Sequence, residues 1–276
     1  MRPNIDTGVK YRRFHLILAA TLWFLTLIFA LIIDTEFSGF NAISALLTFD
    51  IEFQNIDTLV MQQVRLPRVL TAAICGGALA MAGAITQGYF RNPLASPSIL
   101  GIESGATAAA ALASTILYQQ LNWMTLPLAA VSGSLLTTFL LLILARKYSF
   151  QNATYFLLLG LALATAFSAI TTAIISFNVQ QMRHTSTLFQ WLLGSFDSRG
   201  WHHVGPASFG IMVGLMMALR LAPPLDALML GENIATSMGV PLSLIRTKVV
   251  VTTSILVGTS IAAAGGLPFV SLIVPH

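Results

Sequence analysis

Seven stretches of this chain are apolar almost without interruption: 16–33, 69–90, 99–118, 126–145, 156–177, 209–221 extended at both ends, and 249–270. Each approaches the roughly 20 residues that cross a hydrocarbon layer, and none shows the polar face of a helix that lies against water. The pattern predicts an all-α integral membrane protein, a bundle of about seven transmembrane helices forming one domain over 1–276. The first run has the position of a secretory signal. No small-residue cleavage pattern follows Ile33, however, and Asp34-Thr35-Glu36-Phe37 does, so the segment is expected to stay as an anchor.

Polar positions gather in three longer connections. In 34–64, Phe37, Phe40, Ile43, Leu46 and Leu47 give weak amphipathic character, which suits a segment on the membrane surface or a cap over the helices. The connection 184–206 carries Trp191 and Trp201, and indole rings favour the wet membrane interface. In 222–248, Pro223 and Pro224 are expected to end the sixth helix, since proline lacks the N–H that would continue it. The residues 225–238 then read as a separate short helix. Its apolar positions are Leu228, Leu230, Ile234, Ala235 and Met238, and Asp226, Glu232, Asn233, Thr236 and Ser237 face otherwise, until Gly239 stops it. Such an element either packs on its own bundle or offers a knob to a partner.

Composition agrees with the pattern. Hydrophobic residues make up 56% of the chain and charged residues 9%, too few charges for the surface of a soluble domain of 276 residues. With the N-terminus in the cytoplasm, Arg2, Lys10, Arg12, Arg13, Arg91, Arg146, Lys147, Arg220, Arg246 and Lys248 fall inside. Only Arg65, Arg68, Arg183 and Arg199 then fall outside, so the 14 basic residues obey the positive-inside rule. The formal charge of +4 therefore reflects topology and contact with anionic membrane lipid, not nucleic-acid binding.

The chemistry-bearing residues exclude several classes. Cys75 is the one cysteine, which rules out an internal disulfide or a CxxC metal site, and it reads as a small buried hydrophobe. His202-His203 is an adjacent pair rather than the i, i+4 arrangement that puts two ligands on one helical face. No metal, cofactor or catalytic residue is indicated. The chain also lacks a GxxxxGK[ST] phosphate loop with which to bind ATP, so any ATP hydrolysis that serves it has to sit on another subunit. Apart from Glu103 near the start of the third helix, no acid falls inside an apolar span, which makes a proton- or ion-coupled secondary transporter or channel the weaker alternative.

Five strings carry a resemblance: Arg65-Leu66-Pro67-Arg68; the glycine-spaced helix closing in Arg91-Asn92-Pro93-Leu94-Ala95-Ser96-Pro97; Leu100-Gly101-Ile102-Glu103-Ser104-Gly105-Ala106; Gly231-Glu232-Asn233-Ile234-Ala235 to Met238-Gly239-Val240; and Gly266-Leu267-Pro268-Phe269-Val270-Ser271-Leu272-Ile273-Val274-Pro275-His276. In this order they resemble the permease subunits of ABC importers for iron-siderophores, haem and vitamin B12. That family implies a bacterial inner-membrane subunit, not an enzyme, working with ATPase subunits, a periplasmic substrate-binding protein and a second permease. Iron-siderophore is the expected cargo, that branch being the broadest. Such permeases carry about ten helices, the second half a weak inverted repeat of the first. Here the pattern corresponds to the first two thirds, with about three helices unaccounted for, which reads as a fragment or a truncated product.

The resemblance also implies site roles. Arg65 and Arg68 would dock the binding protein through its carboxylates, a task that suits a planar guanidinium. Asn92, Pro93 and Leu94 would narrow the inner end of the pathway, joined there by Ala153 and Thr154, where the family has adjacent small hydroxyl residues and this chain reads Asn152-Ala153-Thr154. The short helix with Gly231, Glu232, Ala235, Met238 and Gly239 would couple the bundle to the ATPase.

Overall fold

The computed structural model describes residues 5–32, 56–120, 122–147, 153–178, 191–197 and 199–275. Much of the 34–64 connection, Asn152, Arg183, and Phe189 with Gln190 therefore lie outside the described residues. Regular structure among the described residues is helical throughout. Its elements are α1 (Ile5–Ile32), α2 (Leu66–Phe90), α3 (Ile102–Ile116), α4 (Thr125–Lys147), α5 (Ala153–Asn178), α6 (Trp201–Met229), α7 (Glu232–Ser237), α8 (Leu242–Ala264) and α9 (Val270–Ile273). A short α-helical turn, Ile56–Val60, and a π-helical turn, Met61–Arg65, lead directly into α2. Each of the seven apolar runs falls largely on one of these helices. Of these, α2 with its lead-in, α4, α5, α6 and α8 have both the length and the hydropathy to cross a membrane.

Helix α8 forms the axis of the bundle. It packs against α2, α4 and α6, and 72% of its most apolar stretch is buried, against 6% for α5. Several polar core residues settle within the bundle by local bonding: Ser260 donates to the Leu256 carbonyl at 2.7 Å, and Thr71 and Thr86 donate to carbonyls four residues back. Thr138 on α4 meets Ser254 on α8 hydroxyl to hydroxyl. Helices otherwise hold together through close contact, since between membrane helices apolar burial gives little net drive and small residues let backbones approach. At the α3–α4 crossing a Cβ on Gly133 would overlap the carbonyl of Gly105, so only glycine permits that approach.

Three expected boundaries move. Pro223 and Pro224 do not end the sixth helix: α6 runs through both to Met229. Leu221, Leu225 and Leu228 are buried on one face at helical spacing, and that burial carries the helix one turn past its missing donors. The expected helix 225–238 is consequently divided. Its first turn belongs to α6, the chain breaks at Leu230 and at Gly231 with φ +120°, and only Glu232–Ser237 remains as α7. Gly239 does terminate it, at φ +84°. The last helix starts earlier and ends earlier than 249–270. Gly265 (φ +81°), Gly266 and Pro268 break it, and α9 turns back so that Ser271 lies against Gly83 and Gln87 Nε2 donates to the Leu272 carbonyl at 3.0 Å.

Candidate functional site

Helix α2 has a differently built site at each end. At the first end Arg65 closes the π-helical turn, an element that is rare and occurs mostly as a single turn within α-helices. Two contacts brace it. Arg65 Nη1 donates to the Leu31 carbonyl of α1 at 3.4 Å, and Trp201 Nε1 of α6 donates to the Gln62 carbonyl at 2.9 Å. Pro67 follows in the first turn of α2, which runs on from the π-helical turn without a break. Arg68, one turn on from Arg65, forms an ion pair with Asp197, and both side chains remain substantially exposed, at 47% and 69%. Asp197 sits on a loop fastened to the end of α8: Ser195 N–H donates to the Ala264 carbonyl at 2.8 Å. In the same loop Arg199 is half-buried between the Ser195 carbonyl and His203 Nε2, each 3.4 Å away, and burial lowers its pKa from the usual arginine range.

The other end is a tight turn. Arg91 adopts a left-handed conformation (φ 49°) as it caps α2, and Asn92 Oδ1 accepts from Leu94 N–H at 2.9 Å, an Asx turn that aims Leu94 outward with 71% exposure. Ala95, Ser96 and Pro97 then bury themselves and anchor the turn. Ala153 opens α5, and Thr154 beside it is exposed. The two segments expected to narrow the path are joined from behind: Phe156, fully buried in the first turn of α5, stacks on Phe90 at 6.4 Å between centroids, and Phe90 meets Tyr89 edge to face at 4.9 Å.

Helix α7 lies at this same end. Arg91 Nη2 approaches Glu232 Oε1 to 3.5 Å, which ties the first residue of α7 to the residue after α2. The faces of α7 are sorted otherwise than the expectation that Ala235 would meet a partner. Ala235 is fully buried within its own chain while Ile234 is exposed at 48%, and Met229, Leu230 and Met238, which flank α7, are exposed at 66%, 63% and 64%. Gly231 and Gly239, on either side of α7, adopt positive φ. Trp191, expected at the membrane interface, is buried at 5% exposure and its carbonyl accepts from Gly266 N–H. Cys75 is fully buried in α2, and Glu103 sits in the first turn of α3. Arg246, counted in the sequence only as a charge on one side of the membrane, sits at the junction of α2, α5 and α8; no sequence signal separates it from the other basic residues.

Comparison with known proteins gives this geometry a context. The vitamin B12 import system permease protein BtuC of Pectobacterium atrosepticum is 38% identical over 221 residues, which cover 79% of this chain and 64% of that protein. The BtuC proteins of Klebsiella pneumoniae and Yersinia enterocolitica are 37% and 36% identical, over 79% and 81% of this chain and 64% and 66% of their own lengths. This chain thus spans just under two thirds of the length of these relatives. A solved structure described as an inward-facing conformation of a metal-chelate type ABC transporter superposes with a TM-score of 0.78 at 26% identity, over 92% of this chain and 77% of the other. The FecCD transport family model matches residues 20–276, and this chain belongs to that family.

Proposed function

We propose that this chain is the permease subunit of an ATP-driven bacterial importer that carries a metal chelate or corrinoid across the inner membrane. The observation that carries the proposal is the construction of α2: a braced arginine pair at one end and, at the other, a turn linked by Arg91–Glu232 to a short helix with an exposed apolar face. Arg65 and Arg68 meet carboxylates of a substrate-binding protein on the outer side. The turn Asn92-Pro93-Leu94 and the start of α5 at Ala153 and Thr154 narrow the cytoplasmic exit. Exposed Ile234 on α7 and Met238 just after it, with Glu232, Gly231 and Gly239 shaping the element and Ala235 rooting it in the bundle, take the ATPase. The uncovered face of α5, with Leu158, Leu161, Ile170 and Phe177 exposed, suits a second permease subunit or lipid. The N-terminus faces the cytoplasm.

Among the cargoes of such importers, the relatives' name favours vitamin B12 over the iron-siderophore expected above. Proteoliposomes holding this chain with its ATPase and binding protein test the proposal. Uptake of labelled cyanocobalamin is expected only with ATP and binding protein present. Uptake of a ferric siderophore instead would correct the cargo, and uptake of either without ATP would overturn the reading.

A further inference from the structure

Arg246 joins three helices. It lies in the second turn of α8, and its Nε donates to Tyr89 Oη at 3.1 Å, on the last turn of α2. The same guanidinium sits over the ring of Phe156, with Cζ 5.5 Å from the centroid, on the first turn of α5. Only a planar guanidinium can donate in its plane to a phenol while offering its face to an aromatic ring; a lysine ammonium is a point charge and does one or the other well. Tyr89 is followed by Phe90 and then by the Asn92-Pro93-Leu94 turn, and Phe156 stands two residues after Thr154. One side chain thus grips the roots of both segments that flank the exit.

The grip leads back to α7. Between α7 and α8 only Met238, Gly239, Val240 and Pro241 intervene, and they are held by Val240 N–H to the Ala235 carbonyl at 3.0 Å and Ile245 N–H to the Pro241 carbonyl at 3.0 Å. Ala235 and Ile245 are buried, so α7, the connection and the start of α8 have little freedom to move separately. The Arg91–Glu232 pair adds a second attachment between α7 and the end of α2.

We infer that Arg246 is the positioning residue of the exit: it makes the opening of the two flanking segments depend on displacement of α7 and α8. This rests on the transport reading above. While the guanidinium holds Tyr89 and Phe156, the end of α2 and the start of α5 stay together. A push on the exposed face of α7 shifts α8, withdraws the cation, and lets the segments part.

The test uses the complete complex of permease, ATPase and binding protein in proteoliposomes, and reads uptake per ATP hydrolysed. In Arg246→Gln and Arg246→Lys, assembly and ATP hydrolysis are expected to persist while uptake per ATP falls about tenfold and severalfold respectively, the loss of a charge-assisted hydrogen bond setting the scale. Tyr89→Phe, which removes one oxygen, is expected to match Arg246→Lys. A variant that is merely misfolded lowers both activities together and leaves their ratio alone. Unchanged uptake per ATP in Arg246→Lys and Tyr89→Phe overturns the inference, whether or not Arg246→Gln assembles. Failure of the parent complex to couple uptake to ATP at all would instead overturn the transport reading.

Discussion

The two ends of α2 both use arginine, and they use it in opposite ways. At the first end Arg68 pairs with Asp197 in the open, where each partner keeps about half or more of its side chain in solvent. Such a pair stabilises by only about 0 to 1 kcal/mol, so another carboxylate can replace Asp197 at little cost. At the second end Arg246 is held between a phenol and the face of a buried ring. Tyr89 and Phe156 hold it by position, a phenol oxygen in the guanidinium plane and a ring at its face, rather than by an exposed opposite charge. The first arrangement suits exchange with a partner that comes and goes, the second a joint that stays made until helices move.

The sharpest way to break the contrast is Phe156→Ala. Phe156 is the largest fully buried side chain among the described residues, and its removal strips both Phe90 and Arg246 of their neighbour. A loss of about 3 to 5 kcal/mol is expected, read as a large fall in thermal stability in detergent. The equivalent deletion at the other end, Arg68→Ala, is expected to leave stability nearly unchanged.

Charge reversal at the first end tests exchange directly. Arg68→Glu and Arg65→Glu are each expected to weaken association with the binding protein by about 2 to 5 kcal/mol, with part regained by placing arginine at the matching acid of the partner. Absence of rescue at every acid on the partner's docking face would leave the arginines to lipid headgroups or internal bracing.

At the second end, the exposed face of α7 is the place to test coupling. Met238→Arg is expected to lower co-purification of the ATPase by about tenfold or more while the permease still folds, since Met238 is exposed and touches little of its own chain. Ala235→Arg is the wrong probe: it drives a charge into a fully buried position, and its loss of stability would mask any effect on the partner.

The smallest expected effect is the most diagnostic of exchange. Asp197→Asn removes the internal competitor for Arg68. It is expected to change stability by less than about 1 kcal/mol and to raise affinity for the binding protein a few-fold at low salt, with the gain shrinking as salt rises. A titration series at several salt concentrations reads this. Unchanged or weakened binding would mean that Asp197 orients Arg68 rather than competes for it.

The helices themselves were legible because apolar length alone reports a membrane span. The exceptions are physical: Pro223 and Pro224 promise a stop, yet the buried leucines on either side outweigh two missing donors. The arginine pair and the Asn92 turn were legible as motifs, because a proline between arginines and an Asn-Pro turn have local meaning. Arg246 was not, because its role depends on Tyr89, 157 residues distant, and on Phe156, 90 residues distant. Asp197 was invisible as a partner of Arg68 for the same reason.

By itself, the sequence determined that this is a helical membrane protein and which strings place it in its family, since these follow from local composition and short-range chemistry. Only the tertiary structure decided that α8 is the buried axis, that Ala235 turns inward while Met238 turns outward, and which acid or ring each arginine meets. Those outcomes depend on which helix faces cross, and facing is settled by packing over the whole bundle rather than by any residue's neighbours in the chain.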